Sequence, residues 1–170
     1  MNQLKSDEYP ASWSQYIETV MGDPLEALRE QIDSFPVFLA NIPAGKSEFS
    51  YAEGKWTIKE VVGHVIDTER IMAYRALCFA RNDTKELPGF DEESFVSNAH
   101  FNDRSLEHYI NEFTLLRKAN VLLVESFREN ELMRSGLASE RLVSVRALLY
   151  MMAGHLNHHR NIIKERYLKD

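Results

Sequence analysis

The stretch Trp56-Thr57-Ile58-Lys59-Glu60-Val61 constrains the fold of this chain more than any other. Thr57 and Glu60 have the T-x-x-E spacing of a capping box, in which two side chains reciprocally satisfy backbone N–H groups at a helix start. Trp56 and Val61 flank them at the two positions where apolar side chains clamp the entering chain. The helix that starts here is expected to run to about Arg81, with Val61, His64, Ile71 and Cys78 on one side.

Three further segments read as long helices. The first opens at Asp23-Pro24-Leu25-Glu26, where Asp23 suits the cap, Pro24 the first turn and Glu26 the capping-box position. Apolar residues then recur at Leu25, Leu28, Ile32, Phe35 and Leu39, and Pro36 is expected to bend or shorten the run. Another helix is expected from about Ser105 to Phe127, with Leu106, Tyr109, Phe113, Leu116, Ala119, Leu123 and Phe127 as its core stripe. The last starts near Ser144 and continues to about Tyr167. Residues 82–103 form a long link with a Pro88-Gly89 turn and a short helix at 91–97. Residues 129–142 read as a polar connection, and no strand pattern stands out. Trp13, Tyr16 and Ile17 make a small amphipathic piece for the outside of the bundle. Four such helices predict an all-α four-helix bundle occupying residues 1–170 as one domain. Periodicity leaves the topology open, although the long link permits a crossover between the second and third helices.

The formal charge of −6, with no basic run, argues against a nucleic-acid partner. No apolar stretch approaches the ~18–20 residues of a membrane span. The first ten residues are polar and mixed in charge, unlike a signal peptide. A single cysteine, Cys78, excludes an internal disulfide and suits a reduced cytoplasmic setting. Nucleophile-elbow, phosphate-loop and dinucleotide motifs are absent.

Chemistry concentrates in the histidines. Of His64, His100, His108, His155, His158 and His159, two fall on the stripe Leu148, Met152, His155, His159, Ile162 of the last helix. Side chains at i and i+4 point the same way, so both imidazoles can reach one ion. His158, rotated by about 100° from His159, faces elsewhere. His64 lies on the inward stripe of its own helix beside Asp67, Thr68 and Arg75. A stripe that turns polar in its middle suggests a lined cavity. Asp67, one turn from His64, could orient a histidine or form a local ion pair with Arg70. Three neutral imidazoles buried together leave polar nitrogens to satisfy, and a metal resolves this. Three protein nitrogens also leave a position open for water or substrate. Imidazole suits zinc, nickel, copper or iron without choosing among them. His155 is followed by Leu156 and Asn157, so the H-E-x-x-H arrangement with its glutamate base is missing.

Three segments resemble the DinB-like, or YfiT-like, metal-binding four-helix-bundle proteins: GKWTIKEVVGHVIDTERIMAYRALCFAR from Gly54, LPGFDEESFV from Leu87 and VSVRALLYMMAGHLNHHRNIIKERY from Val143. YIETV from Tyr16 belongs to the same likeness. The resemblance implies an up-down-down-up bundle, one divalent metal ion (nickel or zinc) on His64, His155 and His159, and a homodimer. It also implies relatives that act as thiol S-transferases with a low-molecular-weight thiol such as bacillithiol. The expected function is therefore metal-dependent transfer of a small thiol to an electrophilic small molecule. Metal-dependent hydrolysis and non-enzymatic metal or small-molecule binding are the alternatives.

Overall fold

The capping box forms as its spacing requires: Thr57 N donates to Glu60 Oε2 at 2.7 Å, and Glu60 N to Thr57 Oγ1 at 3.1 Å. These distances come from a computed structural model that describes residues 4–169. A 3-10 turn at Ala11–Trp13 leads into α1 (Ser14–Ile17), followed by α2 (Pro24–Ala40), α3 (Ile58–Ala80), α4 (Glu92–Ala99), α5 (Leu106–Glu125) and α6 (Glu129–Leu132). A hairpin of β1 (Ser135–Ala138) and β2 (Arg141–Ser144) precedes α7 (Val145–Ile162), which ends in a π turn at Ile163–Tyr167.

The four long helices are α2, α3, α5 and α7. Cross-contacts fix their directions. Tyr150 OH donates to Gly22 O, and further along both chains Gln31 Nε2 donates to Ala153 O, so α2 and α7 are parallel. Tyr167 OH donates to Trp56 O at the start of α3, while Phe79 near its end packs on Gly136, just before α7. α3 therefore opposes α7. α5 runs with α3, because Gly63 meets Phe101 and Glu69 meets Arg117. The order is up-down-down-up. α2 and α3 each pack on both α5 and α7, and so face one another diagonally. Because α3 and α5 are parallel, the chain must return the length of α3, roughly 35 Å at 1.5 Å per residue. The long link after α3 makes that return.

The core consists of two apolar clusters, one around Leu28, Met72, Val121 and Leu148, the other around Phe35, Val61, Phe113 and Leu156. At the intermediate height every long helix turns a buried polar side chain inward: Gln31, Thr68 and Glu69, Arg117 and Asn120, and His155. Arg117 donates to both carboxylate oxygens of Glu69, at 2.7 and 2.8 Å, and its Nη1 donates to Gln31 Oε1. Gln31 Nε2 reaches Asn157 Oδ1 at 2.9 Å, and Asn120 donates to Glu69 at 3.0 Å. A polar layer thus divides the bundle.

Several sequence expectations need correction. Residues 129–142 are not merely a polar connection. They hold α6 and most of an antiparallel hairpin that pairs Ser135 with Ser144. Its turn residues Ser139 and Glu140 both take positive φ, 52° and 61°, without the glycine or asparagine that advertises such a turn. Ala119 is exposed, and Arg117 and Asn120 take the inward position on α5. Ile71 and Cys78 sit half-buried at the margin of the α3 stripe, whose buried members include Thr68, Met72 and Arg75. Pro36 lies inside α2 without ending it. Asp23 caps that helix by accepting from Leu25 N at 2.8 Å, whereas Glu26 pairs with Arg29.

The segment before α2 is pinned to the start of α7. Glu8 accepts from Arg146 Nε at 2.6 Å and from Ser144 Oγ at 2.9 Å. Burial pushes the Glu8 carboxyl up, but its bonds to Arg146, Lys5 N and Ser144 outweigh this and hold it at about 2. A depressed folded pKa adds stability above the unfolded value of 4.5, lost as pH falls from there through about 2. The contribution is of order 3 kcal/mol. Glu8→Gln should flatten the acid limb of a stability profile between these pH values, as followed by urea melts. An unchanged profile contradicts this role for Glu8.

Candidate metal centre

His64 stands on α3 one turn past the capping box, and His155 and His159 stand one turn apart on α7. The antiparallel packing of α3 on α7 brings the three together. His64 Nε2 lies 3.0 Å from His155 Nε2, and His159 Nε2 lies 3.1 Å from the same atom. One ring nitrogen from each lies within 4.8 Å of the others. His158 stays outside this cluster, with its ring against Tyr16 at 4.9 Å between centroids. Asp67 pairs with Arg70 at 3.1 Å, the local ion pair, and not with a histidine.

Glycines permit the close approach. A Cβ on Gly154 would run into the backbone carbonyl of Tyr16, and one on Gly63 would run into the Phe101 ring. Through Gly154 the α1 segment lies directly on α7. Its Tyr16 ring stands 5.7 Å from the His155 ring. Trp56 covers His64 from the other side at 4.8 Å.

The cluster's electrostatics favour neutral imidazole. Burial pushes His64 down to about 4. Burial, then the neighbouring His64 and His158, takes His159 down to about 3, and His155 is lowered well below its usual value chiefly by burial. All three are therefore unprotonated near neutral pH, the form that binds metal. A neutral ring nitrogen carries either one proton or one lone pair. His155 Nε2 cannot serve both neighbours well by hydrogen bonding. His159 Nδ1 is buried without a partner among the described residues. Metal–nitrogen bonds of 2.0–2.1 Å put ligand nitrogens about 3.3 Å apart in a tetrahedron and about 2.9 Å apart at octahedral right angles. The two short separations match that range, and all three nitrogens lie within 4.8 Å of one another.

Two cavities adjoin the cluster. One, of about 400 Å³, is bordered by His155 together with Thr68, Arg75 and Tyr16. The other, of about 180 Å³, reaches His159 between Trp56 and Tyr167. The polar stripe of α3 thus does line a cavity, through Thr68 and Arg75. The parts played by Trp56 and Tyr16 carried no signal in the spacing of the histidines.

Residues 27–163 match the family model of the DinB superfamily. The chain belongs to that superfamily. Among solved structures, this DinB protein is similar to YfiT from Bacillus subtilis, described as a probable metal-dependent hydrolase with an unusual four-helix bundle topology. The TM-score is 0.69 at 15% identity, covering 97% of this chain and 89% of that one. It is also similar to a mycothiol-dependent maleylpyruvate isomerase, with a TM-score of 0.66 at 13% identity, covering 85% of this chain and 59% of the isomerase. At these identities the likeness establishes the bundle fold. No curated protein matches the chain.

Proposed function

We propose that His64, His155 and His159 hold one divalent cation, zinc or nickel, and that the protein transfers a low-molecular-weight thiol to an electrophilic small molecule. The observation that carries this reading is the cluster of three neutral imidazoles, of which His155 borders a cavity of about 400 Å³. Such a volume suits a small organic molecule. When bound, the cation supplies Lewis acidity that favours the deprotonated form of a thiol at neutral pH. The protein's own groups do the rest. The triad contributes no charge and leaves a position open. Trp56 packs on His64 and Tyr16 on His155, which covers those two imidazoles. Only histidines make up the ligand cluster among the described residues, so no carboxylate base stands within it. This favours a nucleophile activated at the ion over one activated by a neighbouring side chain.

A metal-dependent hydrolase is the second reading, since YfiT, which shares the fold, is described as a probable one. The two diverge in one assay. Zinc- or nickel-loaded protein should accelerate conjugation of bacillithiol or a similar small thiol to a model electrophile, and His64→Ala or chelation should abolish it. Ester turnover without thiol would select hydrolysis. Equal conjugation with the chelated protein would remove metal-dependent thiol transfer, and ester turnover unchanged by chelation would remove the hydrolase reading.

A homodimer is proposed with this reading. Leu115 and Leu122, seven residues apart on α5, are exposed and supply an apolar stripe for a second copy. Light scattering of the purified protein tests it. The single thiol, Cys78, supports a reduced cytoplasmic setting. No helix of the described residues is long and apolar enough to cross a membrane.

A further inference from the structure

Among the described residues three arginines are buried, and two of them hold a carboxylate: Arg117 binds Glu69 and Arg146 binds Glu8. Arg75 is the exception. It is 4% exposed, and its Nη2 donates to Pro88 O at 2.8 Å and Ser139 Oγ at 3.1 Å. No carboxylate of the described residues pairs with it, and burial lowers its pKa with no opposing charge. A buried guanidinium without a counter-charge is costly, and two neutral acceptors offset the cost only in part.

Arg75 borders the same 400 Å³ cavity as His155. Thr68 lies two helical turns before it on α3, about 10 Å away along the axis. Its hydroxyl has no hydrogen-bond partner among the described residues, and the residue, 2% exposed, borders the cavity too. His64 is one further turn back. The wall of α3 thus runs from the imidazole cluster, past an unused hydroxyl, to an unpaired cation. Met72 and Met151 add apolar surface, and Tyr16 and Trp13 border the cavity from the N-terminal segment. Glu92 is an exposed residue that also borders the cavity and forms no ion pair with Arg75.

We propose that this cavity binds its small-molecule substrate through a carboxylate that pairs with Arg75, with the reactive end directed toward the triad. The substrate is then a small organic acid with an apolar body. A planar carboxylate matches the free edge of the guanidinium, and Thr68 can hydrogen-bond a polar group between the two ends. The orientation toward the triad rests on the metal-centre reading. The carboxylate site at Arg75 does not.

The test uses phenylacetate, 3-phenylpropionate and 4-phenylbutyrate, each beside its neutral primary amide. They are titrated calorimetrically into full-length protein, both chelator-treated and zinc-loaded. In the chelated protein at least one carboxylate should bind about tenfold or more tightly than its amide, the worth of one charge-assisted pair. Arg75→Gln should erase that preference, and Arg75→Lys should retain part of it. The absence of a carboxylate preference in every wild-type pair overturns the proposal, and so does Arg75→Gln binding the acid as tightly as wild type. The wild-type comparison decides the matter even where a variant fails to fold. Zinc stoichiometry on the same preparations reports on the triad separately, so a missing metal and a missing carboxylate site give different results.

Discussion

Metal affinity should fall more than about 100-fold when His64, His155 or His159 is replaced by alanine, beyond the 10- to 100-fold typical of losing a group that merely supports a ligand. Each contributes one nitrogen to a cluster of three, and none has a substitute, since His158 faces Tyr16. With zinc about a thousandfold above its Kd, wild-type protein gains about 4 kcal/mol, or about 8–16 °C in Tm for a chain of this size. The alanine variants should lose that shift and bind less than one ion per chain by elemental analysis. A second variant separates a metal site from a hydrogen-bonded core. His155→Leu keeps the volume and removes a ring nitrogen crowded by two others at 3.0 and 3.1 Å. Metal-free His155→Leu should melt at or above the metal-free wild type, because a poorly satisfied buried polar group is gone. If the imidazoles instead form a satisfied network, that variant melts lower and zinc leaves the wild type unchanged.

The largest loss of stability should come from Arg117→Ala. Arg117 is 0% exposed and Glu69 2%, and the pair is joined by two hydrogen bonds in the middle of the bundle. Removing the arginine leaves the Glu69 carboxylate with Asn120 alone and strips Gln31 of its donor. Breaking one side of a buried pair costs about 3–5 kcal/mol, roughly 6–20 °C in Tm. The double variant Glu69→Leu with Arg117→Met should recover most of this, since replacing both partners by apolar side chains is often neutral. Thermal and urea denaturation of wild type, Glu69→Leu, Arg117→Met and the double variant make a complete cycle. Additive losses would show that the pair is not coupled. The same layer contains His155 and Thr68, so Arg117→Ala is also expected to weaken zinc binding indirectly, whereas the double variant restores it.

Much of this protein was legible locally. The capping box at Thr57 and Glu60 set the start of α3, and the i, i+4 spacing of His155 and His159 placed two imidazoles on one face of α7. Both are short-range geometry, decided within one helical turn. The hairpin was not legible, because Ser139 and Glu140 occupy left-handed backbone without glycine or asparagine to mark it. Arg117 was not legible as a core residue, because a charged side chain reads as surface until its partner is known. That partner, Glu69, is 48 residues away. The direction of α5 depended on the same kind of information. A long link permits a crossover, but only the meeting of Gly63 with Phe101 and of Glu69 with Arg117 sets α5 parallel to α3.

By itself the sequence determined which residues could be ligands and which faces of the helices must be buried, since periodicity and capping are properties of neighbouring residues. Only the tertiary structure decided that His64 stands 3.0 Å from His155, that Asp67 turns to Arg70, and that Arg75 is buried beside the cavity with no carboxylate of its own. The first follows from the packing of α3 against α7, which spacing along either helix does not encode. The burial of Arg75 likewise depends on distant segments, Pro88 and Ser139, whereas for Asp67 the fold chose the local partner over a histidine.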